Sequence, residues 1–201
     1  MRTKDETQSE HRRREILVAA ATVFKQKGFH GARTEDICAQ AQMSPGTVFR
    51  HFESKNAIIQ AIAMEELARY SDQMQELATE VGLRWMVQLT GKDLAALLAP
   101  SEFDLGSDSW LELSRNPQGL ADIEQAHKNL HRVLAAALTH GQKAGWVRAG
   151  INPRGVSTLL LALLTGLSFD TELNLPTDHV ATAKAMADFF RDCVLAPQTD
   201  T

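Results

Sequence analysis

The sequence predicts an all-α protein in which a small N-terminal domain precedes a larger C-terminal one. Apolar residues recur at steps of three and four along most of the chain, and no stretch keeps the alternation of a half-buried strand. The 201 residues, 44% of them hydrophobic, can bury a sizeable core. Residues 1–60 carry ten Lys and Arg against seven Asp and Glu, a balance of +3, and residues 61–201 carry eleven against eighteen, a balance of −7. Only the first part is therefore expected to meet phosphates.

Two helices and a tight turn are predicted first. The stretch "RRREILVAAATVFKQKGF" has helical apolar spacing and stops at Gly28, a residue that favours a helix C-terminus. In "RTEDICAQA", Thr34 is predicted to be the N-cap of a second helix, with Glu35 and Asp36 in its first turn. The next helix begins so soon afterwards that the pair predicts a helix-turn-helix.

The third helix is predicted in "SPGTVFRHF". Ser44 is a good N-cap, and proline suits the first helical turn. Gly46 lacks a side chain, so the backbone there can approach another molecule closely. At about 100° per residue the helix has an apolar face for a core and a polar face for a partner. These faces consist, respectively, of Pro45, Val48, Phe49 and Phe52, and of Ser44, Thr47, Arg50 and His51.

The remaining chain also reads as helices. Ser54 caps a long pattern, "KNAIIQAIAMEELARYSDQMQEL". One or two helices are predicted in "LRWMVQLTGKDLAALLAP", a loop in "SEFDLGSDS" and a short helix, closed by Pro117, in "WLELSRN". A long helix follows in "GLADIEQAHKNLHRVLAAALTHGQKAG", and the last two lie in "RGVSTLLLALLTGLSF" and "DHVATAKAMADFFRDCVL".

A helix ending in "KGF", a threonine opening the next, "IC-QA" with a tight turn, and "SPGTVFRHFESK" follow one another from Arg13 to Ile62. In this order they closely resemble the DNA-binding domain of TetR-family transcriptional regulators. The resemblance implies a homodimeric repressor whose two helix-turn-helix units enter successive major grooves of a palindromic double-stranded operator, and which a small-molecule effector releases. Residues 1–12 are then expected to be a flexible tail, residues 13–53 the DNA-binding domain and residues 54–196 the helical effector-binding and dimerisation domain.

The resemblance makes several residues candidates for DNA contact. Base edges are expected to meet Pro45, Gly46 and Arg50, since arginine can bond guanine bidentately. Ser44 is free on the same polar face to meet DNA, and the candidates for phosphate are Thr34, Thr47, His51 and Lys55. Where many family members have a tyrosine whose hydroxyl reaches a phosphate, this chain has Phe49, which either packs inside or touches the sugar-phosphate wall with its ring edge.

The last two helices carry more apolar residues than one solvent-facing helix pair needs. They predict a core contribution together with a two-fold four-helix interface between protomers. The expected interface residues are Leu159, Leu160, Leu163, Leu167, Ala183, Met186, Ala187 and Phe190.

Large apolar and aromatic residues on helices that line the cavity in proteins of this layout are the candidates for an effector pocket. For each one the alternative is plain core packing. They are Trp85, Met86, Phe103, Trp110, Leu113, His127, His131, Leu134 and Phe169. Nearby acidic residues face either a cationic ligand or water: Glu102, Asp104, Asp108, Glu112 and Glu124.

A metal site is the alternative function. Glu124, His127 and His131 share one helical face, and Glu-x-x-His is the unit of di-iron helical bundles, although no second copy occurs. The histidine pair alone could bind one zinc or another sensor metal. A metal-responsive regulator or metal-binding bundle therefore stays open, and otherwise we expect neither metal nor cofactor.

Other classes of protein lack support. The sequence contains no glycine-rich phosphate loop after a strand, no Gly-x-Ser-x-Gly and no HExxH, so no enzyme is predicted. Two cysteines without CxxC spacing fit a reducing compartment, and the polar N-terminus and the absence of a long apolar run predict a cytoplasmic protein.

Overall fold

The computed structural model describes residues 4–100 and 105–197. Within these ranges the chain forms ten α-helices, and the extended backbone makes only an isolated antiparallel bridge between Val147 and Leu195. The predicted all-α fold is thus confirmed. None of the helices in these ranges is both long and apolar enough to cross a membrane.

The chain divides into two compact units, one formed by Met1–Ala68 with Pro100–Ala121 and the other by Arg69–Ala99 with Asp122–Thr201. The first unit extends beyond residue 53, where the sequence suggested a boundary. Its core explains the extension, because Ile58, Ile59 and Ile62 are buried in the same cluster as the helix-turn-helix.

The first unit opens with the helices α1 (Lys4–Gly31), α2 (Thr34–Ala41) and α3 (Pro45–His51), followed by α4 (Lys55–Leu77), which continues into the second unit. Helix α1 begins well before Arg13, so residues 4–12, expected to be a tail, are helical. At Gly28 the backbone takes φ 68° and ψ 166°, which interrupts α1 where the sequence predicted its end.

The helix-turn-helix closes around one apolar cluster. Ile16, Leu17, Ile37 and Val48 are all at most 1% exposed, so α1, α2 and α3 each bury one face in the same core. The N-cap of α2 is Arg33 and not the predicted Thr34, which is already the first helical residue. The cap is made by the side chain three residues on, since the Asp36 Oδ2 accepts the Arg33 N–H at 3.0 Å.

Helix α7 (Ser107–Ser114) also belongs to the first unit, and α8 (Pro117–Ala144) starts there and continues into the second. Pro117 is therefore the first residue of α8, whereas the sequence predicted that it would close the preceding short helix. The second unit contains α5 (Glu80–Trp85), a 3-10 turn at Met86–Gln88, α6 (Gly91–Leu97), α9 (Pro153–Glu172), α10 (His179–Phe189) and a π-helical turn at Phe190–Val194.

The faces of α9 and α10 differ from the prediction. Leu160, Leu167, Ala183, Met186, Ala187 and Phe190, expected at a dimer interface, are all at most 8% exposed and pack inside the protomer. Leu159 and Leu163, from the same predicted set, are 60% and 43% exposed. Six of the eight residues are thus buried in the protomer: Leu160 and Leu167 on α9, Ala183, Met186 and Ala187 on α10, and Phe190 in the π-helical turn that follows α10.

Candidate nucleic-acid interface

The start of the recognition helix α3 is fixed by its own side chains. The Ser44 Oγ accepts the Thr47 N–H at 3.2 Å, the two hydroxyls lie 3.0 Å apart, and Pro45 occupies the first turn. This is the N-cap that the sequence predicted.

Helix α3 is anchored on one side and open on the other. Val48 and Phe52 are 0% and 4% exposed and hold the helix to the core. The DNA candidates on this helix are at the surface: Ser44, Pro45, Gly46 and Arg50 are exposed, and Thr47 and His51 are half-buried. The structure thus gathers six of the eight candidates on one short helix and its cap.

Two residues of the predicted apolar face turn outward instead. Pro45 is exposed and Phe49 is 49% exposed, so neither is a core residue. The ring of Phe49 is left at the surface beside Arg50. Of the two roles open to Phe49 from the sequence, contact with a partner fits its exposure better than packing.

The turn between α2 and α3 depends on a strained residue that the sequence reasoning missed. Gln42 has φ 54° and ψ 39°, the left-handed conformation that favours glycine. Its N–H bonds to the Ala39 carbonyl at 3.2 Å, and the Met43 N–H bonds to the Cys38 carbonyl at 3.0 Å. The only available signal was the tight turn itself, which needs a left-handed residue.

The N-terminus of α2 carries a compact ion pair. Lys27 Nζ lies 2.7 Å from the Asp36 Oδ1, while the other carboxylate oxygen caps Arg33. The hydrogen bond from Lys27, followed by that from the Arg33 backbone, lowers the pKa of Asp36. Thr34 is half-buried at the first position of α2, so its hydroxyl lies at the end of a helix where an anion is stabilised.

Lys55 has an internal role that its position in the sequence did not reveal. Its Nζ donates to the Phe29 carbonyl at 2.6 Å and to the Ala32 carbonyl at 2.9 Å. The ammonium therefore closes the end of α1 and ties it to the start of α4. Two of its three protons are used in this way.

The basic run before the core of α1 is also engaged. Arg12 and His11 both reach Glu15, at 3.0 and 3.3 Å, and the guanidinium of Arg13 lies 5.0 Å from the centre of the Phe52 ring. Arg12 and His11 contact a residue of their own helix, and Arg13 contacts the residue that ends α3, so this basic run is part of the folded first unit.

The candidates for an effector pocket do not behave as one set. Met86, Leu113 and Leu134 are at most 2% exposed and are core residues of their units, whereas Phe169 is 46% exposed on α9. Trp85, Trp110 and His131 are half-buried, and His127 is exposed. Phe103 lies outside the described residues, as do the acidic Glu102 and Asp104. The remaining acids include Glu112, which pairs with Arg115, and Asp108, which is exposed.

The three-residue metal face predicted on α8 does not form. Glu124 pairs with Lys128 at 3.0 Å, and the described part of the chain contains no group of three or more His, Cys, Asp or Glu that could hold a metal ion. The two histidines do meet, since His127 Nε2 and His131 Nε2 lie 3.0 Å apart. Burial and then the nearby His127 lower the pKa of His131, which favours its neutral form.

A buried carboxylate in the first unit was also missed. Glu66 on α4 is 5% exposed and accepts the Leu105 N–H at 2.6 Å and the Ser109 hydroxyl at 2.5 Å. It binds the start of α7 to α4. The apolar spacing of α4 gave no sign of it, because in sequence Glu66 is one of two adjacent glutamates.

The sequence of this chain is similar to those of known transcriptional regulators. The profile of the bacterial regulatory proteins of the tetR family matches residues 16–62. The HTH-type transcriptional regulator UidR of Escherichia coli K12 is 31% identical over 172 residues, which cover 83% of this chain and 85% of UidR.

Solved structures share the fold at lower identity. A putative transcriptional regulator from Saccharomonospora viridis, in complex with choline, has a TM-score of 0.70 at 23% identity and covers 94% of this chain and 100% of its own. FadR from Bacillus subtilis, in complex with stearoyl-CoA, has a TM-score of 0.63 at 21% identity and covers 88% and 96%. The helix-turn-helix geometry, the profile match and the likeness to UidR lead to one conclusion: this chain belongs to the TetR family of bacterial transcriptional regulators.

Proposed function

We propose that this regulator is a repressor that binds a palindromic operator as a homodimer and is released by a small-molecule effector. The observation that carries the proposal is the recognition helix, in which Val48 is fully buried while Gly46 and Arg50 face outward. A short helix held on one side and polar on the other is suited to the major groove.

The contacts to DNA follow from these exposures. We assign base edges to Pro45, Gly46 and Arg50, and phosphates to Thr34, Thr47 and His51, with Ser44 beside them. A Cβ built on Gly46 would have no neighbour closer than 3.9 Å, so the protomer itself does not need a glycine there. Close approach of DNA to this part of the backbone explains why position 46 is a glycine.

The dimer interface is proposed on the outer face of α9. Leu159 and Leu163, four positions apart on α9, are 60% and 43% exposed, and Leu173 at its C-cap is 51% exposed. Gly166 on the same helix has no atom within 4 Å of an added Cβ. Phe189 on α10 is 38% exposed. Exposed apolar residues at helical spacing, with a glycine that permits close approach, fit a two-fold contact between identical helices.

Effector release is proposed to act through α4, which begins just after the recognition helix and continues into the second unit. A ligand that binds one arrangement of α4 better than another changes the distance between the two helix-turn-helix units of the dimer and thereby lowers operator affinity. The two neighbouring structures hold choline and stearoyl-CoA, which differ widely, so the shared fold does not specify the ligand.

Selection of binding sites from random duplex DNA tests the DNA-binding proposal. We expect a palindrome, with Arg50→Ala changing the preferred base pairs and Gly46→Leu abolishing binding while its circular dichroism stays that of the parent. Selection of single half-sites, or a Gly46→Leu variant that binds normally, would contradict the assignment.

Light scattering tests the dimer. The double variant Leu159→Asp, Leu163→Asp should be a monomer at micromolar concentration, because four carboxylates cannot be buried against one another. The matched control is Val81→Asp, since Val81 is 79% exposed on α5 and should leave the dimer intact. A parent protein that is monomeric, or a double variant that stays dimeric, would refute the interface.

Operator affinity with and without added ligand tests release. Choline and stearoyl-CoA are the first probes, followed by a wider set of metabolites. Equal operator affinity in the presence of a ligand shown by calorimetry to bind would mean that the two sites are not coupled.

A further inference from the structure

We propose that His127 and His131 form a two-histidine site for a divalent transition-metal ion of tetragonal geometry, with Cu²⁺ the preferred ion. Both residues lie on α8 within the second unit, one helical turn apart, and their Nε2 atoms are 3.0 Å from each other. The inference rests on this distance, on the proton arrangement around His131 and on the space left open to solvent.

The proton arrangement around His131 leaves its Nε2 as a lone pair. The Ser157 hydroxyl donates to the Arg154 carbonyl at 2.8 Å, and a carbonyl can only accept, so the Ser157 proton is already used. The contact of 3.3 Å between Ser157 Oγ and His131 Nδ1 is then a bond donated by Nδ1–H. A neutral His131 with its proton on Nδ1 has an unprotonated Nε2, which accepts a hydrogen bond from the His127 Nε2–H at 3.0 Å in the metal-free protein.

Ser157 therefore acts as the outer partner that metal-bound histidines usually have. Such a partner fixes the ring and the tautomer and raises the basicity of the ligating nitrogen. Ser157 is 1% exposed and belongs to α9, so the position of the His131 ring is set from a second helix. His127 completes the pair once its proton moves to Nδ1.

If the two nitrogens keep this separation once the His127 proton has moved to Nδ1, the distance sets the angle at the ion. With metal–nitrogen bonds of about 2.0–2.1 Å, two ligands 3.0 Å apart subtend an angle of roughly 91–97° at the ion. A tetrahedral ion would need the nitrogens about 3.3 Å apart. An angle near 90° is that of tetragonal Cu²⁺ or Ni²⁺, and affinity for nitrogen ligands is highest for Cu²⁺.

The remaining ligand positions are available to water. His127 is exposed, and Glu124, the nearest acidic residue along the helix face, is held by Lys128 at 3.0 Å. The site thus has two protein ligands, which agrees with the lack of any three-residue cluster in the described part of the chain.

Electron paramagnetic resonance of the purified full-length protein with one equivalent of CuCl₂ tests the proposal. We expect hyperfine lines from two equivalent nitrogens. In His127→Ala or His131→Ala these should become the lines of one nitrogen, with Cu²⁺ affinity at least tenfold lower. The control is His140→Ala, an exposed histidine further along α8, which should change neither spectrum nor affinity.

Two further measurements separate this site from casual binding of copper. Ser157→Ala should lower the affinity severalfold while keeping the two-nitrogen spectrum, because it loosens the ring without removing a ligand. Zn²⁺ should compete less well than Ni²⁺. A spectrum unchanged by His127→Ala and His131→Ala, or tighter binding of Zn²⁺ than of Cu²⁺, would overturn the proposal. Neither outcome depends on operator binding or on release by an effector.

Discussion

Replacing Lys55 with methionine tests whether this lysine stabilises the helix-turn-helix unit internally or contacts a DNA phosphate. The methionine keeps an unbranched apolar stem and removes the ammonium that donates to the carbonyls of Phe29 and Ala32 at 2.6 and 2.9 Å. A hydrogen bond to a charged group contributes about 1.5–3 kcal/mol. Two such bonds sum to about 3–6 kcal/mol, and because Lys55 is half-buried and the freed carbonyls can bind water, we expect Lys55→Met to lower the free energy of unfolding by less than this sum, about 2–3 kcal/mol.

Urea unfolding followed by circular dichroism measures this loss, and the salt dependence of operator binding measures the other role. Each phosphate contact contributes about 0.9 to the slope of log K against log salt, so a dimer that lost one contact per head would lose about 1.8. Because the Lys55 ammonium is used internally, we expect the slope to stay that of the parent. Lys25→Met, at an exposed position of α1, is the matched control for stability. Unchanged stability together with a slope smaller by about 1.8 would refute the reasoning.

Three other substitutions test local features of the structure. Gln42→Gly should raise the free energy of unfolding by about 1 kcal/mol, because glycine adopts the left-handed φ of 54° without strain; a loss of stability in urea would contradict this. Gly141→Ala should cost about 1–3 kcal/mol, since its Cβ would come within 2.5 Å of the Val147 side chain and 2.7 Å of Trp146, and an unchanged melting temperature would be inconsistent with that contact. The lowered pKa of Asp36 means that its contribution to stability is present above the pKa of the unfolded carboxyl and is lost as pH falls through the lower folded value. Asp36→Asn should therefore be less stable than the parent at neutral pH and lose less stability as the pH falls below about 4, and parallel pH profiles would argue against the ion pair.

The parts of the structure that follow from local rules could be predicted from sequence. Ser44 as N-cap, Pro45 in the first turn and the interruption at Gly28 depend only on neighbouring residues, and the structure has all three. The N-cap of α2 was predicted one position too late, at Thr34 instead of Arg33. Arg33 has no capping side chain of its own, and the cap works only because Asp36 reaches back to its N–H.

Features that depend on a distant residue could not be predicted. Lys55 meets carbonyls more than twenty positions away, and Glu66 meets Ser109 across 43 positions, so no spacing rule announces either contact. The face of α9 is a similar case. Leu159 and Leu160 are equally apolar, and only the packing of the second unit decides that the first is exposed and the second buried.

Some glycines are required by the fold of the protomer itself, and others are explained only by contacts with other molecules. At Gly141 an added Cβ would meet side-chain atoms at 2.5–2.8 Å, so the fold of the protomer alone requires glycine there. At Gly46 and Gly166 nothing in the protomer lies within 3.8 Å of an added Cβ, although glycine within a helix costs about 0.5–1 kcal/mol relative to alanine. Neither glycine has the left-handed φ that would make glycine necessary for the backbone conformation. Gly46 lies on the proposed DNA face, and Gly166 lies on the proposed dimer face. No contact within the protomer compensates for the stability lost at these two glycines. The loss is explained if both glycines make close contacts with other molecules.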